Sequence, residues 1–262
     1  MGSDRPLACA GDRFIWHGHR EESKLFKMAR YYGLVPAAGF GRRFGSELPK
    51  QYLEIAGSPL IAHAIRGLLA DTRVERIFVI LSADDHHFGR IAWQLEADRV
   101  VPLYCGGESR TTSVYNGLIG CADAIHLDDW VLVHDAARPC LTAGDVTRLI
   151  DALGDSAVGG LLAARVTDTL KIDDGDGRVA RTVDRSSVWR ALTPQMFRYG
   201  TLLHALGAGQ ALDTTITDEA SAVERLGLHP LLVLGAGTNI KVTHPEDLTM
   251  VSAWMGQHGS SK

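Results

Sequence analysis

The stretch Leu34–Tyr52, LVPAAGFGRRFGSELPKQY, decides the fold, because an apolar run ends there and a glycine-rich loop begins. Gly39 and Gly41 leave the backbone open to a ligand, since glycine carries no Cβ. Exposed backbone N–H groups bind anions, and Arg43 and Lys50 add positive charge that suits phosphate groups. Ligands of open α/β sheets bind at the carboxyl ends of the strands. The stretch therefore predicts a phosphate-binding loop after the first strand of such a sheet.

The spacing of this loop excludes two common phosphate-binding motifs. The dinucleotide fingerprint requires a third glycine where this chain has Phe44. A Walker A loop requires Gly-Lys-Ser or Gly-Lys-Thr, and neither Gly39 nor Gly41 leads to one. A surface turn with solvated arginines remains the alternative when this stretch is taken alone.

The composition is that of an ordinary globular protein. The 262 residues are 45% hydrophobic and 22% charged, which allows one α/β domain with a full core. The formal net charge of −4 argues against a nucleic-acid-binding surface. No apolar run approaches the length of a membrane span. The four cysteines show no CxxC spacing and suit a reducing compartment, so we expect a cytoplasmic protein that binds neither nucleic acid nor membranes.

Residues 1–27 carry several acidic residues and no apolar signal core, so we expect a disordered or expression-derived extension there. Residues 28–258 are predicted to form one domain in which strands and helices alternate. The first predicted strands are Tyr31–Val35, Arg76–Ser82, Val100–Tyr104, Trp130–His134 and Val158–Ala164, and the helices between them are Pro59–Ala70, Asp84–Ala97, Arg110–Ala124 and Thr142–Leu153. Later segments predict helices at Arg198–Leu206, Asp218–Leu226 and Pro245–Met255 and strands at Leu231–Leu234 and near Ile240–Val242. This alternation predicts a doubly wound, mostly parallel sheet with helices on both faces.

Residues 166–185 interrupt the alternation. Two short β-like pieces, Thr169–Ile172 and Val179–Val183, flank a turn rich in glycine and aspartate, which predicts a β-hairpin. Such a hairpin has little core of its own and is marginal when isolated. We therefore expect a protruding arm that packs on a second subunit, with a solvent-exposed excursion as the alternative.

Polar clusters follow several of the predicted strands. Gly107 and its neighbours lead into a helix, where they suit either a base and ribose or a capped strand-to-helix turn. Asp135 follows an apolar strand, and its carboxylate suits either Mg²⁺ or a surface pair with Arg138. Thr215 precedes a helix start that reads first as an N-cap and second as a ligand contact. Lys241 between apolar neighbours suits either the protection of an edge strand or a function.

Taken together, these motifs resemble those of a known family. They are PAAGFGRR at 36–43, PKQY at 49–52, HDAARPC at 134–140, ALTPQ at 191–195, TDEAS at 217–221 and NIKVT at 239–243. From about Tyr32 to Met255 the chain resembles the 2-C-methyl-D-erythritol 4-phosphate cytidylyltransferases of the non-mevalonate isoprenoid pathway. One departure is Glu108, which stands where the family often has aspartate.

The resemblance implies a nucleotidyltransferase that uses CTP, methylerythritol phosphate and Mg²⁺ and releases pyrophosphate. It implies catalytic roles for Arg43, Lys50 and Lys241. It implies nucleotide contacts from Pro36, Ala37, Ala38, Gly39, Gly41, Gly107, Glu108, Ser113, Asp135 and Ala136, with Asp135 also at the metal. It implies contacts with the sugar phosphate from Arg138, Thr169, Arg185, Thr193 and Thr215. It also implies a homodimer with exchanged arms, in which Arg185 enters the partner's site.

Two rival functions stay open on the sequence. A cytidylyltransferase for another polyol phosphate, such as ribitol 5-phosphate, would share the fold, because substrate choice rests on a few pocket residues. A nucleotide-binding regulatory module without turnover is the rival from another class. Retention of Arg43, Lys50 and Lys241 together argues against that module, since binding alone would tolerate the loss of one.

Overall fold

The fold is described over residues 29–39, 48–91, 97–211 and 216–258 of a computed structural model. The strands are β1 (Tyr31–Pro36), β2 (Glu54–Ile55), β3 (Ser58–Pro59), β4 (Val74–Ile80), β5 (Val100–Leu103), β6 (Trp130–Val133), β7 (Gly160–Arg165), β8 (Lys171–Asp173), β9 (Val179–Thr182), β10 (Trp189–Arg198) and β11 (Leu231–Leu234). The α-helices are α1 (Leu60–Leu69), α2 (Arg110–Gly120), α3 (Ala143–Leu153), α4 (Tyr199–Ala211), α5 (Glu219–Glu224) and α6 (Pro245–His258). No helix among the described residues is long and apolar enough to cross a membrane.

Seven strands form the central sheet, in the order β11-β7-β10-β6-β1-β4-β5. All neighbours are parallel except at β10, which runs antiparallel to both β6 and β7. The mostly parallel sheet predicted from the alternation is therefore confirmed. The chain leaves β1 towards β4 on one side and later returns to β6 on the other. Such a reversal opens a crevice beyond the carboxyl ends of the strands, where ligands of this fold class bind.

The core lies on both faces of the sheet. Helices α1 and α3 cover one face, where Ile65 and Leu149 pack in one apolar cluster. Helices α2, α4 and α5 cover the other face, where Leu118 and Leu202 belong to a second cluster. The strand residues Trp130–Val133 are all buried, because helices cover the sheet on both faces. This explains why the strand is a continuous apolar run. The predicted doubly wound arrangement follows from this burial.

Side-chain caps begin two of the helices that border the crevice. The Ser109 hydroxyl accepts a hydrogen bond from the backbone N–H of Thr112 and starts α2 directly after the β5 loop. At α5, the Asp218 carboxylate accepts from the N–H of Ser221, and the Ser221 hydroxyl accepts from the N–H of Asp218. These caps fix where each helix begins and hold the preceding loops against the sheet.

The structure corrects three of the element predictions. The antiparallel strand β10, Trp189–Arg198, was not predicted at all. The predicted helix at Asp84–Ala97 is wrong over residues 84–91, which form turns and a short 3₁₀ helix at Phe88–Arg90. The predicted strand near Ile240–Val242 is also wrong, because that segment docks on a loop instead of pairing with the sheet.

The predicted β-hairpin is present as β8 and β9, which pair antiparallel. Every residue of the two strands is exposed, including Ile172 at 41% and Val179 at 63% of their full surface. Within the described residues, the two strands of the hairpin therefore bury no side chain, which agrees with the expectation of little core. Its packing on a second subunit stays a prediction.

Candidate active site

A cleft of about 640 Å³ lies at the crevice where the strand order reverses. Segments that follow five strands, β1, β4, β5, β6 and β11, line it. The described residues of the cleft that the sequence predicted as functional are Pro36, Ala37, Ala38, Gly39, Lys50, Gly107, Glu108, Ser113, Asp135, Ala136 and Lys241. Residues 180 or more apart in sequence are therefore neighbours here, as the strand-end argument predicted for parallel strands.

The loop after β1 forms one wall of the cleft. The backbone N–H of Ala37 donates to the carbonyl of Ile80 at 2.8 Å, and the Gln51 amide donates to the Ala37 carbonyl at 2.8 Å. These bonds fix the start of the loop at Ala37, and the exposed Gly39 borders the cleft. The predicted loop residues Gly41 and Arg43 lie outside the described residues.

The loop after β5 forms a second wall, and it needs glycine because other backbone approaches closely. A Cβ at Gly106 would lie 2.8 Å from the Leu81 carbonyl oxygen. The Ser113 hydroxyl accepts from the N–H of Gly107 at 3.0 Å and donates to the Ser109 carbonyl at 2.8 Å. Ser113 and Glu108 both line the cleft, but Ser113 is buried and bonded to the loop, whereas Glu108 is exposed.

Asp135 lies at the centre of a group of cations. Its Oδ1 atom is 2.8 Å from Arg110 Nε, and its Oδ2 atom is 2.9 Å from Lys241 Nζ and 3.5 Å from Arg138 Nε. Burial alone would raise the pKa of the Asp135 carboxyl. The charges of Arg110, Lys241 and Arg138 outweigh that effect and hold its pKa well below the usual range. The carboxylate is therefore ionised at neutral pH.

This arrangement does not fit the predicted role of Asp135 as a Mg²⁺ ligand. A carboxylate that already faces three cationic side chains is a poor partner for a further cation. Within the described parts of the chain, no group of three or more His, Cys, Asp or Glu side chains could hold a metal ion. The sequence could not show this, because Arg110 and Lys241 reach Asp135 only through the fold.

The segment that carries Lys241 docks directly on the loop after β6. The backbone N–H of Val242 donates to the Ala137 carbonyl at 2.8 Å, and the Asn239 amide donates to the Thr193 carbonyl at 2.7 Å. The ammonium group of Lys50 donates to the Val242 carbonyl at 2.9 Å. The two lysines predicted as catalytic therefore lie at one wall of the cleft, although they are far apart in sequence.

Arg110 and Glu219 form a pair that the sequence analysis did not single out. Arg110 Nη1 and Nη2 donate to the two Glu219 oxygens at 2.6 and 3.0 Å, which is a bidentate contact. Glu219 is only 1% exposed. Burial opposes the charged form of Arg110, but Glu219 and Asp135 together raise its pKa. In the sequence, Arg110 comes three residues after the double glycine, and Glu219 comes directly after the helix cap Asp218. Neither pattern predicts that the two side chains pair.

Thr193 and His134 lie behind the cleft. The Thr193 hydroxyl accepts from the N–H of Asp135 at 3.2 Å and bonds His134 Nδ1 at 2.9 Å. His134 Nε2 bonds the Arg138 carbonyl at 3.0 Å, and burial lowers the pKa of His134 to about 4. Because the Thr193 hydroxyl is buried and bonded within the protein, it supports the loop of Asp135 in this structure. The predicted contact of Thr193 with the sugar phosphate stays a prediction.

Other predicted substrate residues are not brought together by one chain. Thr169 and Arg185 belong to the exposed arm region and do not line the cleft, and the Arg185 guanidinium donates to the Thr167 carbonyl. Arg138 is mostly buried behind Asp135, where its Nη1 donates to the Asn239 carbonyl at 2.7 Å. Thr215 lies outside the described residues.

A glycine loop and two lysines at the switch point of a mostly parallel sheet define an α/β protein of the nucleotidyltransferase class. The family model for 2-C-methyl-D-erythritol 4-phosphate cytidylyltransferase matches residues 32–257, and the chain belongs to this family. The resemblance read from the six motifs is therefore confirmed.

Individual relatives agree with this assignment. The 2-C-methyl-D-erythritol 4-phosphate cytidylyltransferase of Laribacter hongkongensis is 51% identical over 235 residues, which cover 90% of this chain and 100% of the relative. The protein of the same name from Azoarcus sp. is 51% identical, with 84% of this chain and 91% of the relative covered. A crystal structure of a 4-diphosphocytidyl-2C-methyl-D-erythritol synthase is 37% identical with a TM-score of 0.75, covering 87% of this chain and 98% of its own. The Francisella tularensis cytidylyltransferase structure is 33% identical with a TM-score of 0.73, covering 86% and 99% respectively.

Proposed function

We propose that the protein transfers the cytidylyl group of CTP to 2-C-methyl-D-erythritol 4-phosphate in isoprenoid precursor biosynthesis. The products are 4-diphosphocytidyl-2-C-methyl-D-erythritol and pyrophosphate. The family match over residues 32–257 supports this assignment. The observation that carries it is the placement of Lys50 and Lys241 at one wall of a cleft bordered by two glycine loops. The absence of a spanning helix from the described residues is compatible with a cytoplasmic location.

The reaction needs positioning and charge stabilisation more than proton transfer. A phosphate oxygen of the sugar alcohol phosphate forms a bond to the α-phosphorus of CTP, and the bond from that phosphorus to the β-phosphate bridge breaks. The electron pair of the broken bond leaves with pyrophosphate. The attacking oxygen is already ionised at neutral pH, so no general base is required. Preorganised cations around the α-phosphate then lower the barrier.

The two lysines are the groups that supply this charge. Without substrate, Lys241 is held by Asp135 and Lys50 is held by the Val242 carbonyl. The Lys241 side chain is 40% exposed, so it can swing from the carboxylate towards a phosphate in the cleft. Ala38 and Gly39 line the same cleft, and we propose that their backbone N–H groups bind the triphosphate. We propose that Arg43, which lies outside the described residues, completes the triphosphate contacts.

We propose that Mg²⁺ would take part together with CTP, and that Asp135 would serve as a partner of Lys241 instead of as a ligand of the metal. The negative charge of this carboxylate is already compensated by Arg110, Arg138 and Lys241, which weakens its attraction for a further cation. When bound, the metal would neutralise charge on the leaving pyrophosphate. The predicted role of Asp135 in the nucleotide site is retained as that of an anchor for Lys241.

We propose a homodimer in which the arm of one subunit completes the site of the other. Thr169 and Arg185 would then bring their side chains to the sugar phosphate of the partner's cleft. The exposed apolar residues Ile172 and Val179 support this arrangement, because they would be covered by a second subunit. Residues from the arm are also absent from the described lining of the cleft in their own chain.

The test is pyrophosphate release with CTP and Mg²⁺ when methylerythritol 4-phosphate or ribitol 5-phosphate is supplied in parallel. Release only with methylerythritol 4-phosphate is expected. Release only with ribitol 5-phosphate would keep the lysine chemistry but refute the proposed acceptor. No release with either, from folded protein that binds CTP, would indicate a regulatory nucleotide-binding module. Protein with Lys241→Ala serves as the control for contaminating activity.

A further inference from the structure

We propose that Arg110 and Glu219 are a positioning pair that limits how firmly Asp135 holds Lys241. The inference rests on the proposed function, because it assigns these residues an effect on the transfer step. Neither residue is offered as a group that touches the reacting atoms. Both act through the carboxylate that anchors the catalytic lysine.

The geometry around Asp135 shows a division between its two oxygens. Arg110 Nε occupies Oδ1 at 2.8 Å, whereas Lys241 and Arg138 share Oδ2 at 2.9 and 3.5 Å. A carboxylate that already accepts a strong charge-assisted hydrogen bond holds each further cation less tightly. Arg110 also repels Lys241 through its own positive charge. Both effects make it easier for Lys241 to leave Asp135 for a phosphate.

Glu219 is the residue that keeps Arg110 in this position. Its two oxygens accept from both terminal nitrogens of the guanidinium, which leaves Nε directed at Asp135. The acid itself is fixed, because the next backbone N–H, that of Ala220, donates to the Gln195 side chain at 2.8 Å. A planar guanidinium held by three hydrogen bonds has little freedom to turn away. Lysine could not make the same set of contacts.

The charges of this group explain why the pair affects the reaction and not only the fold. Arg110, Arg138 and Lys241 face two carboxylates, those of Asp135 and Glu219. If Arg110 is replaced by a neutral residue, Lys241 and Arg138 remain as the cationic partners of Asp135 among the described residues. Lys241 is then held more firmly, and less of it is available to stabilise the α-phosphate. The replacement also leaves Glu219 buried without its cation, which destabilises the fold.

The experiment separates these two consequences with Arg110→Gln and the double variant Arg110→Gln/Glu219→Gln. Unfolding by urea, CTP affinity and kcat are measured for each. We expect Arg110→Gln to lower both stability and kcat, with kcat falling by about 30-fold. In the double variant the unpaired buried carboxylate is gone, so stability should largely recover. Its kcat should stay low, because Asp135 still lacks Arg110.

The opposite result would overturn the inference. If kcat recovers in the double variant together with stability, the pair only supports the fold. An unchanged kcat in Arg110→Gln would also overturn it, and if that variant does not fold, the double variant alone decides. Arg73→Gln is the matched control, because Arg73 is paired with Asp71 away from the cleft and should affect stability without affecting kcat. If the unmodified protein binds CTP but shows no turnover, the proposed function is refuted, and the comparison of kcat between variants no longer applies.

Discussion

Replacing Lys241 with alanine should abolish most of the activity and leave the fold almost unchanged. Lys241 Nζ lies 2.9 Å from Asp135, and the lysine side chain is 40% exposed. Without it, Asp135 keeps Arg110 and Arg138 as partners, so no buried carboxylate is left unpaired. The loss of a partly exposed ion pair should therefore cost at most about 1 kcal/mol in the free energy of unfolding.

The effect on the reaction should be much larger, because Lys241 is proposed to stabilise charge that develops on the α-phosphate. Loss of one preorganised donor of this kind lowers kcat by about 10²–10³-fold, or about 2.7–4 kcal/mol. The assay is pyrophosphate release at saturating CTP and methylerythritol 4-phosphate, with urea unfolding of the same samples. Arg76→Ala removes an exposed cation near the start of β4 and is the control. A folded Lys241→Ala protein with kcat within about threefold of the unmodified one would refute the reasoning.

Three further predictions follow from the same structure. Arg185→Ala should inactivate the protein, and mixing it with Lys50→Ala subunits should restore part of the pyrophosphate release. No recovery after confirmed subunit exchange would contradict a site shared between subunits. Burial lowers the pKa of His134 to about 4. Between about pH 6.5 and pH 4, this side chain is therefore protonated in the unfolded chain but neutral in the folded protein. Stability should therefore fall by up to about 3 kcal/mol as the pH drops through this window, and urea unfolding of His134→Gln should show a smaller fall. Gly106→Ala should weaken CTP binding in calorimetry, since its Cβ would contact Ala38 and lie 2.8 Å from the Leu81 carbonyl oxygen.

The parts of the fold that the sequence predicted well are those with a strong local pattern. The residues of β6 are all apolar, and Asp135 comes two residues after the strand ends. The sequence therefore indicates both the strand and the candidate site residue beyond its carboxyl end. The glycine loop after β1 was placed at the cleft for the same reason. Local pattern is sufficient there because parallel strands covered on both faces require apolar runs that end abruptly.

Strand β10 could not be predicted in the same way. It contains Pro194, and a proline argues against a central strand because it cannot donate to the ladder. The structure accommodates it where the pairing with β7 shifts register between Ala191 and Gln195. The proline therefore lies in an irregular part of the strand, where no regular hydrogen bond is lost. The sequence shows the proline but not the irregularity.

The contacts between charged side chains were the least predictable part of the site. Arg110 and Glu219 are 109 residues apart in sequence, and each has an ordinary explanation in its local context. Their pairing depends on α2 and α5 beginning near the same crevice, which only the packing of the sheet establishes. The same limit applies to Asp135, whose role at a metal stays a prediction, since its cationic partners come from other parts of the chain.

Asp135 shows how an anion-binding cleft can contain a buried carboxylate. A group of cations without a counterion would repel one another, and the cost would be high in a partly buried site. The carboxylate offsets that repulsion in the absence of substrate, when Arg110, Arg138 and Lys241 all bind to it. A triphosphate brings negative charge of its own, and in our proposal the most exposed of these cations, Lys241, transfers to it while the other two remain. Asp135 therefore acts as a counterion for the protein's own cations in this structure, and the position of an acid at the end of a strand does not by itself indicate a metal.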